Sequence, residues 1–357
     1  MKFTKFFTLV AAVATLFVAC DKEGGESTVS GITLKAESVV EVNTPINFIV
    51  TDGAGNDVSA NATIFDKTHD YAQVSNPYTP TADGDYTFYA VVGDEISKDF
   101  KVVVTPEVPT LPEDTNVANT SFKHRILLVD HTGNTCSYCP KMMVALKEVA
   151  ETGNYHEKYY EAMAHSYAST DPAHSGAADA ISTFYRISNY PTLTYNFEHT
   201  TSSDYNAEHI KQQIDILWKE AADAGIAAAT SLGEKSIVVN TQVKAAVAGE
   251  YSITAWLLED DIHATQTGGK EEWMSIHNNA IRQAATTSPL AGYEIGSIEA
   301  GATAEQILSL KLTRDTWNRD NFKVMVIASK KNSNDKYDVA NVIICDINDS
   351  VSYAYNN

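Results

Sequence analysis

A cysteine pair two residues apart, Cys136 and Cys139, is the feature that most limits what this chain can fold into. The apolar run 126–129 before the pair predicts a buried strand, and Gly133 lies in the short turn that follows it. After the pair, apolar residues recur at helical spacing from Met142 onward. A cysteine pair between a strand and a helix is typical of a redox site, so the pattern indicates thiol–disulfide chemistry.

The spacing of the two cysteines favours a reversible disulfide. Cysteines three positions apart at a helix start lie close enough to bond with little backbone movement. Unpaired N–H groups and the positive end of the helix dipole stabilise a thiolate there, and Lys141 adds a positive charge. Pro140 fits the first turn of a helix. We expect Cys136 to be the more exposed and more acidic thiol, and Cys139 to resolve the mixed disulfide.

Two other uses of such a pair have to be weighed. A zinc site needs two more ligands, and the sequence has no second Cys-x-x-Cys and no His-x-x-x-His. We therefore expect neither a metal nor a cofactor. A structural disulfide that never turns over remains open as the alternative.

Residues from about 120 to 223 resemble the thioredoxin superfamily. Asp130 ends the apolar strand six residues before Cys136, where thioredoxin-like reductases carry a buried carboxylate. The resemblance implies that Asp130 assists deprotonation of Cys139. This gives Cys136, Cys139 and Asp130 as the candidate catalytic residues.

A second matching feature of that superfamily is the dipeptide Tyr190-Pro191. The resemblance implies a cis-proline packed against the cysteine pair, with the preceding residue touching a substrate peptide. Tyr190 and Pro191 are therefore the candidate substrate-binding residues. Thr135 stands where the superfamily usually has an aromatic residue, and Ser137-Tyr138 replaces Gly-Pro between the cysteines. These departures leave substrate choice and redox potential open.

The length of 357 residues suggests two or three domains. The formal net charge of −20 argues against nucleic-acid binding and against adhesion to an anionic membrane through charge. Both exclusions concern surface electrostatics and leave a lipid anchor possible.

Residues 1–19 have the pattern of a targeting segment, with a basic start and an apolar core too short to span a bilayer comfortably. The segment and Cys20 resemble a bacterial lipoprotein signal, which implies a mature chain lipidated at Cys20. An ordinary secretory signal is the alternative. Residues 20–28 form an acidic, flexible tether. Its acidic cluster resembles a surface-export signal of lipoproteins. The alternative is a solvated, charged tether with no signal function.

The segment 29–105 has the alternating pattern of a β domain, with turn signals between its strands. The stretch around Tyr86 resembles the tyrosine corner of an immunoglobulin-like sandwich. Residues 106–118 form a Pro-rich linker, which we expect to act as a semi-rigid spacer.

Two further domains are expected beyond the linker. Residues 119–223 form the thioredoxin-like α/β domain, in which we assign His131, His165 and His174 to packing or surface roles ahead of catalysis. Residues 224–357 return to β patterns typical of a sandwich. A long insertion between 261 and 303 is expected to be functional or partly helical. Cys345 lies in an apolar strand and is expected to be a buried, unreactive thiol.

The order of signal, β module, thioredoxin-like core and second β module resembles the outer-membrane-protein-twenty-eight-related lipoproteins. Residues 256–260 and the pair His277-Asn278 also resemble that family, as does Arg282, although no role can be given to them. The resemblance implies an anchor in the outer membrane and a thioredoxin-like centre, but no assigned reaction. The expected fold is thus multidomain: an immunoglobulin-like sandwich, a thioredoxin-like α/β domain and a sandwich-like β domain.

The leading hypothesis is a lipid-anchored thiol–disulfide oxidoreductase of the outer membrane. Its partners would be disulfides of envelope or extracellular proteins, with the membrane contacted through the lipid. The rival hypothesis is a surface binding or adhesion protein that uses the thioredoxin-like fold as a scaffold for an unknown ligand. We expect exposure at the cell surface, with a periplasm-facing protein as the alternative.

Overall fold

The computed structural model describes residues 31–202, 204–286, 290 and 292–356. Over these residues the protein is mostly β-sheet with few helices, and the multidomain β-rich prediction is confirmed at that level. The expected signal peptide at 1–19, the lipid site Cys20 and the tether 20–28 lie outside the described residues. Within the described ranges, the helices all lack the length and apolarity needed to cross a membrane.

The N-terminal part is a small β unit with its own core. Its strands are β1 (Thr33–Lys35), β2 (Val39–Glu41), β3 (Ile49–Thr51), β4 (Thr63–Asp66), β5 (Ala72–Val74), β6 (Gly84–Val92), β7 (Glu95–Ile96) and β8 (Phe100–Thr105). One sheet has the order β2-β8-β6-β4-β5, with β7 on β6, and β1 pairs with β3. The alternating residues Ile46, Phe48 and Val50 are buried between the two layers. The hydroxyl of Tyr86 donates to the carbonyl of Ala82 at 2.8 Å, as the corner pattern predicts.

The middle of the chain alternates strands and helices. Its elements are β9 (Ile126–Thr132), α1 (Cys139–Glu151), β10 (Tyr159–His165), α2 (Gly176–Phe184), β11 (Thr192–Tyr195), β12 (Glu198–Ser202) and α3 (Ala207–Leu217). Ser175 and Asn206 cap α2 and α3, because their side chains accept hydrogen bonds from first-turn N–H groups. Apolar residues at helical spacing, Ile210, Ile214 and Leu217, predict a helix over 207–222, but α3 stops at Leu217. It ends earlier because Trp218 turns to extended backbone and donates its indole N–H to His124.

The remaining strands complete the C-terminal part. They are β13 (Ala224–Leu232), β14 (Ser236–Ala245), β15 (Gly249–Glu259), β16 (Ile262–His263), β17 (Ile276–His277), β18 (Ala280–Ala284), β19 (Tyr293–Ile298), β20 (Thr303–Lys311), β21 (Phe322–Lys331), β22 (Tyr337–Asp346) and β23 (Ser350–Val351). The sheet β20-β14-β13-β23 packs on β15, β21 and β22. Their shared core contains Ile226, Val239, Tyr251, Leu257 and Val326. The predicted sandwich content of this region is confirmed.

A single mixed sheet joins the middle of the chain to the C-terminal part. Its order is β12-β11-β9-β10-β18-β15-β21-β22. The join is the parallel pairing of β10 with β18, where Met163 lies opposite Ala280. The two segments on either side of residue 223 therefore share one sheet, which the sequence patterns did not predict. The proposed domain boundaries themselves stay predictions.

Helices cover both faces of β9. On one face, Ile126 and Leu128 pack against α1 and α3. On the other face, Leu127 and Val129 share a core with α2. Strand alternation places Asp130 on the same face as Leu128, which is the face covered by α1.

The Pro-rich linker 106–118 is packed along β14 and is not a free spacer. The side-chain amide of Asn240 donates to the carbonyl of Pro109 at 3.0 Å. Farther along, the buried ammonium of Lys244 binds Asp114 at 2.8 Å and the carbonyl of Val117 at 2.7 Å. The expectation of a spacer that separates its neighbours is corrected by these contacts.

A buried carboxylate, Asp83, joins the N-terminal unit to the C-terminal sandwich. It accepts hydrogen bonds from the backbone N–H groups of Glu234 and Lys235, the latter at 3.0 Å, and from the hydroxyl of Ser236 at 2.8 Å. The N–H donors lie in the turn between β13 and β14 and the hydroxyl at the first residue of β14, so backbone and hydroxyl dipoles stabilise the carboxylate.

Candidate functional site

The cysteine pair lies at the start of α1, and the structure joins Cys136 to Cys139 in a disulfide. Pro140 lies in the first turn, and the N–H of Cys139 donates to Sγ of Cys136 at 3.1 Å. Cys136 is expected to be the more exposed thiol, but only 2% of its surface is exposed and Cys139 is fully buried, so the two hardly differ in this oxidised state. An exchange partner can reach the sulfurs only after covering residues move.

Gln266 forms part of that cover. Its side-chain amide donates to the carbonyls of Gly133, at 3.3 Å, and Cys136, at 3.0 Å. The N–H of Thr267 donates to the carbonyl of Asn134 at 2.7 Å. The turn before the disulfide is therefore bonded to a segment that lies far along the chain.

We call residues 264–269 the covering segment. Gly268 contacts the backbone between the cysteines so closely that a Cβ there would lie 2.8 Å from the carbonyl oxygen of Ser137. Its φ of +79° also favours glycine. Residue patterns did not identify Gln266 as part of the site, although the insertion between 261 and 303 was expected to be functional. In the structure that insertion holds β16, β17, β18, β19 and a 3-10 turn at Glu272–Ser275.

Asp130 is fully buried below the start of α1. Among the described residues, neither of its carboxylate oxygens has a hydrogen-bond partner. Burial, and secondly the carboxylate of Glu161, raise the pKa of Asp130 well above its usual value. A raised pKa favours the protonated form, and a buried carboxyl group of this kind can exchange a proton with a neighbouring thiol.

Tyr190 and Pro191 lie just before β11, the antiparallel neighbour of β9, and the bond between them is cis. The hydroxyl of Tyr190 lies 3.1 Å from that of Ser166, and its ring meets Tyr167 edge-on at 5.3 Å. Thr192, the next residue, pairs with His131. The structure thus places the predicted substrate-binding pair beside the strand that carries Asp130.

His131 is buried in a chain of polar side chains. Its ring nitrogens lie 2.8 Å from the hydroxyl of Ser182 and 3.1 Å from that of Thr194. Burial lowers its pKa to about 3, so the ring is neutral at physiological pH. Ser182 in turn lies 2.6 Å from the hydroxyl of Ser166, which connects this chain to Tyr190. The packing role expected for His131 agrees with this environment.

His165 forms a fully buried pair with Asp171, with 2.8 Å between its Nδ1 atom and the carboxylate. Burial opposes the charge of Asp171, but hydrogen bonds from His165 and from the backbone of Asn134 and Ala173 lower its pKa to about 2. The ring of His277 meets His165 edge-on at 4.9 Å. Asp171 therefore ties the end of β10 to the turn before Cys136.

The sequence suggested no role for Arg282 and His277, but both contact segments that border the disulfide site. Its guanidinium forms a buried ion pair with Glu259 at 2.7 Å and donates to the carbonyl of Pro172 at 2.9 Å. The Nε2–H group of His277 donates to the carbonyl of Ala264 in the covering segment at 3.0 Å. These residues hold the β10–α2 loop and the covering segment against the site.

Two other cysteines were singled out from the sequence. Cys20 lies outside the described residues, so its lipidation stays a prediction. Cys345 is a free, buried thiol, and burial raises its pKa to about 11, as expected for an unreactive cysteine.

Comparison with known protein families gives one match, to outer membrane protein Omp28, over residues 178–351. Residues 178–351 of this chain, just under half of it, are Omp28-related. The matched region contains Tyr190, Pro191, Gln266, His277 and Arg282, whereas the cysteine pair lies before it. The description of the family suggests association with the outer membrane. The predicted family resemblance is confirmed.

Of the two solved structures described next, the first has a TM-score that indicates a shared fold. HBP35 of Porphyromonas gingivalis is 15% identical, with a TM-score of 0.51 over 64% of this chain and 77% of that one. A candidate membrane anchored protein from Corynebacterium diphtheriae is 9% identical, with a TM-score of 0.23 over 92% of this chain and 60% of that one. No curated protein matches the chain.

Proposed function

We propose that this Omp28-related protein is an outer-membrane lipoprotein that exchanges thiols and disulfides at Cys136 and Cys139. The observation that carries the proposal is the disulfide at the start of α1, with the unpartnered carboxyl group of Asp130 on the strand below it. A buried acid beside a helix-terminal cysteine pair is the arrangement that moves a proton during exchange.

The order and pairing of strands in the middle of the chain support a thioredoxin-like unit, which this proposal assumes. β9 and β10 run parallel, β11 runs antiparallel to β9, and helices lie on both faces of these strands. The cis bond before Pro191 lies at the start of β11. The likeness to HBP35 concerns the fold and adds nothing on activity.

The chemistry needs an external dithiol or disulfide. In the oxidising direction, a substrate thiolate attacks one sulfur of the Cys136–Cys139 disulfide, and the other leaves as a thiolate. A second substrate thiolate then attacks the mixed disulfide. The substrate gains a disulfide, and the protein is left with two thiols. In the reducing direction, the Cys136 thiolate attacks a substrate disulfide, and Asp130 takes the proton of Cys139 as that thiol resolves the mixed disulfide.

Trapping of partners tests the proposed activity. Replacing Cys139→Ser leaves Cys136 able to form a mixed disulfide that cannot be resolved, so we expect disulfide-linked envelope proteins on non-reducing gels. The matched control is Cys345→Ser, which removes the remote buried thiol and should trap nothing. Recovery of no adduct from envelope extracts of cells making folded Cys139→Ser protein would contradict the proposal.

A second candidate function is a binding or adhesion protein with a structural disulfide. The covering segment favours it, because Gln266 and Gly268 close the approach to the sulfurs. The reduction potential separates the two candidates. Structural disulfides lie below about −300 mV, whereas catalytic pairs span roughly −270 to −120 mV. A value below the catalytic range would favour binding of an unidentified surface ligand.

The proposed anchor is a lipid on Cys20, with the protein facing the cell surface. Mass spectrometry of the mature N-terminus tests the lipid, and protease treatment of intact cells tests the exposure. A chain that survives protease on intact cells but is cut after lysis would place the protein in the periplasm.

A further inference from the structure

A second carboxyl group lies beside Asp130. Glu161 is on β10, and its partner across the parallel pairing is Leu128, while Asp130 lies opposite Met163. Residues two apart along a strand share a face, so Asp130 and Glu161 are diagonal neighbours on the face covered by α1. The Oε1 atom of Glu161 is buried, and among the described residues it has no hydrogen-bond partner.

Glu161 also borders solvent, whereas Asp130 does not. Its side chain is half-buried and lines a cavity of about 310 Å³ beside α1. Other residues that line this cavity are Met143, Leu146, Lys147, Met163, Trp273 and Ile276. Lys147 is exposed at the rim, so the cavity reaches bulk water.

We propose that Glu161 is a positioning residue that passes protons between Asp130 and the water of this cavity. The inference rests on the proposed function, because it supplies the route by which Asp130 is recharged between exchange events. Asp130 is enclosed by β9, β10, β11 and α1, so it needs a neighbouring group to release a proton to solvent.

The charges around Glu161 fit this role. Asp130 faces it from β9, and Lys147 lies across the cavity on α1. Lys323 on β21 acts on it electrostatically while bound to Asp260 at 2.6 Å. Tyr159 is the neighbouring acid on its own strand. Glu161 thus has an acidic neighbour on β9, and Lys323 is the cation that opposes the rise of its pKa.

Both carboxyl groups have raised pKa values. Burial raises the pKa of Glu161 to about 7, against the opposing effect of Lys323. Burial and the charge of Glu161 hold the pKa of Asp130 well above its usual range. Near neutral pH, Glu161 therefore exchanges protons readily with both water and a protonated Asp130.

The proton balance of the resolving step is complete. A protonated Asp130 first gives its proton to Glu161 carboxylate, which releases it to water in the cavity. The Asp130 carboxylate then takes the proton of the Cys139 thiol, and the new thiolate attacks Sγ of Cys136. The bond between Cys136 and the substrate sulfur breaks, and the substrate leaves as a thiolate.

Two-phase kinetics of the full chain test the relay. Reduced protein in excess reacts with 5,5′-dithiobis(2-nitrobenzoate), and the first thionitrobenzoate is released as Cys136 forms the mixed disulfide. The second is released when Cys139 resolves it. We expect Glu161→Ala to slow the second phase about tenfold or more at neutral pH, within the range of general acid–base effects, and to leave the first phase unchanged.

Chemical rescue separates a relay from a structural role. Formate, a small carboxylate that fits the space left by Glu161→Ala, should restore the second phase. The pH midpoint of that phase should also fall, because Asp130 loses a negative neighbour. The matched control is Glu148→Ala, which removes an exposed carboxylate of α1 and should change neither phase. An unchanged second phase in Glu161→Ala, or a slowed one that formate does not restore, overturns the relay.

Failure of the proposed function would look different. A wild-type protein without a second phase would show that Cys139 does not resolve mixed disulfides. In that case, infrared spectroscopy of the oxidised protein still tests the relay. The carboxyl stretching band of Asp130 is assigned by its loss in Asp130→Asn. It should titrate at lower pH in Glu161→Ala than in wild type, and equal titration in both overturns the coupling.

Discussion

At the scale of single residues, the site is defined by buried groups that lack partners. Asp130 is fully buried, and its oxygens have no hydrogen-bond partner among the described residues. Such a group costs free energy when ionised, so it is rarely kept without a role in chemistry. Because the pKa of Asp130 is raised, the cost of ionising it can be measured as a change of stability with pH.

Because of Asp130, the free energy of unfolding should therefore decrease as the pH rises. Its folded-state pKa is raised above the unfolded value of about 3.9, so the folded state holds a proton that the unfolded chain has released. Unfolding free energy then falls as pH rises above about 4. We expect Asp130→Asn to be more stable than wild type at about pH 8, by on the order of 1–3 kcal/mol, and about equal at pH 4.

Urea unfolding from about pH 4 to pH 8 checks this prediction. Asp223→Asn is a suitable control, because that carboxylate is half-buried and lies at 3.4–3.5 Å from Lys219 and Lys330 on the surface. Equal pH slopes for wild type and Asp130→Asn would contradict the assignment of a raised pKa.

At the scale of elements, the covering segment controls access to the disulfide. Gly268 has a φ of +79° and a close contact with Ser137, so an alanine there would push the segment away. We expect Gly268→Ala to speed reduction of the disulfide by dithiothreitol about fivefold or more, since 1–2 kcal/mol of local destabilisation opens the segment by that factor.

Gly301 offers a matched control for this change. Its φ is +81°, but a Cβ there would meet nothing within 4 Å. Gly301→Ala thus carries the same backbone strain without the contact, and it should leave the reduction rate at the wild-type value. Equal rates for Gly268→Ala and wild type would mean that the segment does not limit access.

Sequence patterns predicted the local parts of this site but not its cover. Periodicity and turn residues identify β9, α1 and β10, because those signals lie within a few positions of Cys136. The pairing of Met163 with Ala280, and the bonds from Gln266 to Cys136, join residues more than a hundred positions apart. Pairings at that separation depend on packing, and a single sequence carries no local signal for them.

At the scale of the whole molecule, Asp83 holds the N-terminal unit on the C-terminal sandwich. Three donors of the β13–β14 turn, at residues 234, 235 and 236, bind its carboxylate. Asp83→Ala leaves these donors without their acceptor, so the contact should weaken. We expect faster proteolytic cleavage within the linker 106–118 and a larger radius of gyration.

Limited proteolysis and small-angle scattering measure both effects. Asp85→Ala is the control, because Asp85 forms an exposed ion pair with Lys311 at 3.2 Å, and such pairs contribute little. If Asp83→Ala and Asp85→Ala are cut at the same rate as wild type, Asp83 does not fix the arrangement of the two units.

Because the covering segment lies far beyond the cysteines in the chain, it is synthesised after them. Gln266 lies 130 residues after Cys136, and synthesis at about 5–20 residues per second separates the two by roughly 7–26 s. A chain that folds from its N-terminus thus presents both thiols to an oxidant before the segment exists. The first oxidation of the pair therefore does not require the covering segment to move, whereas every later exchange does.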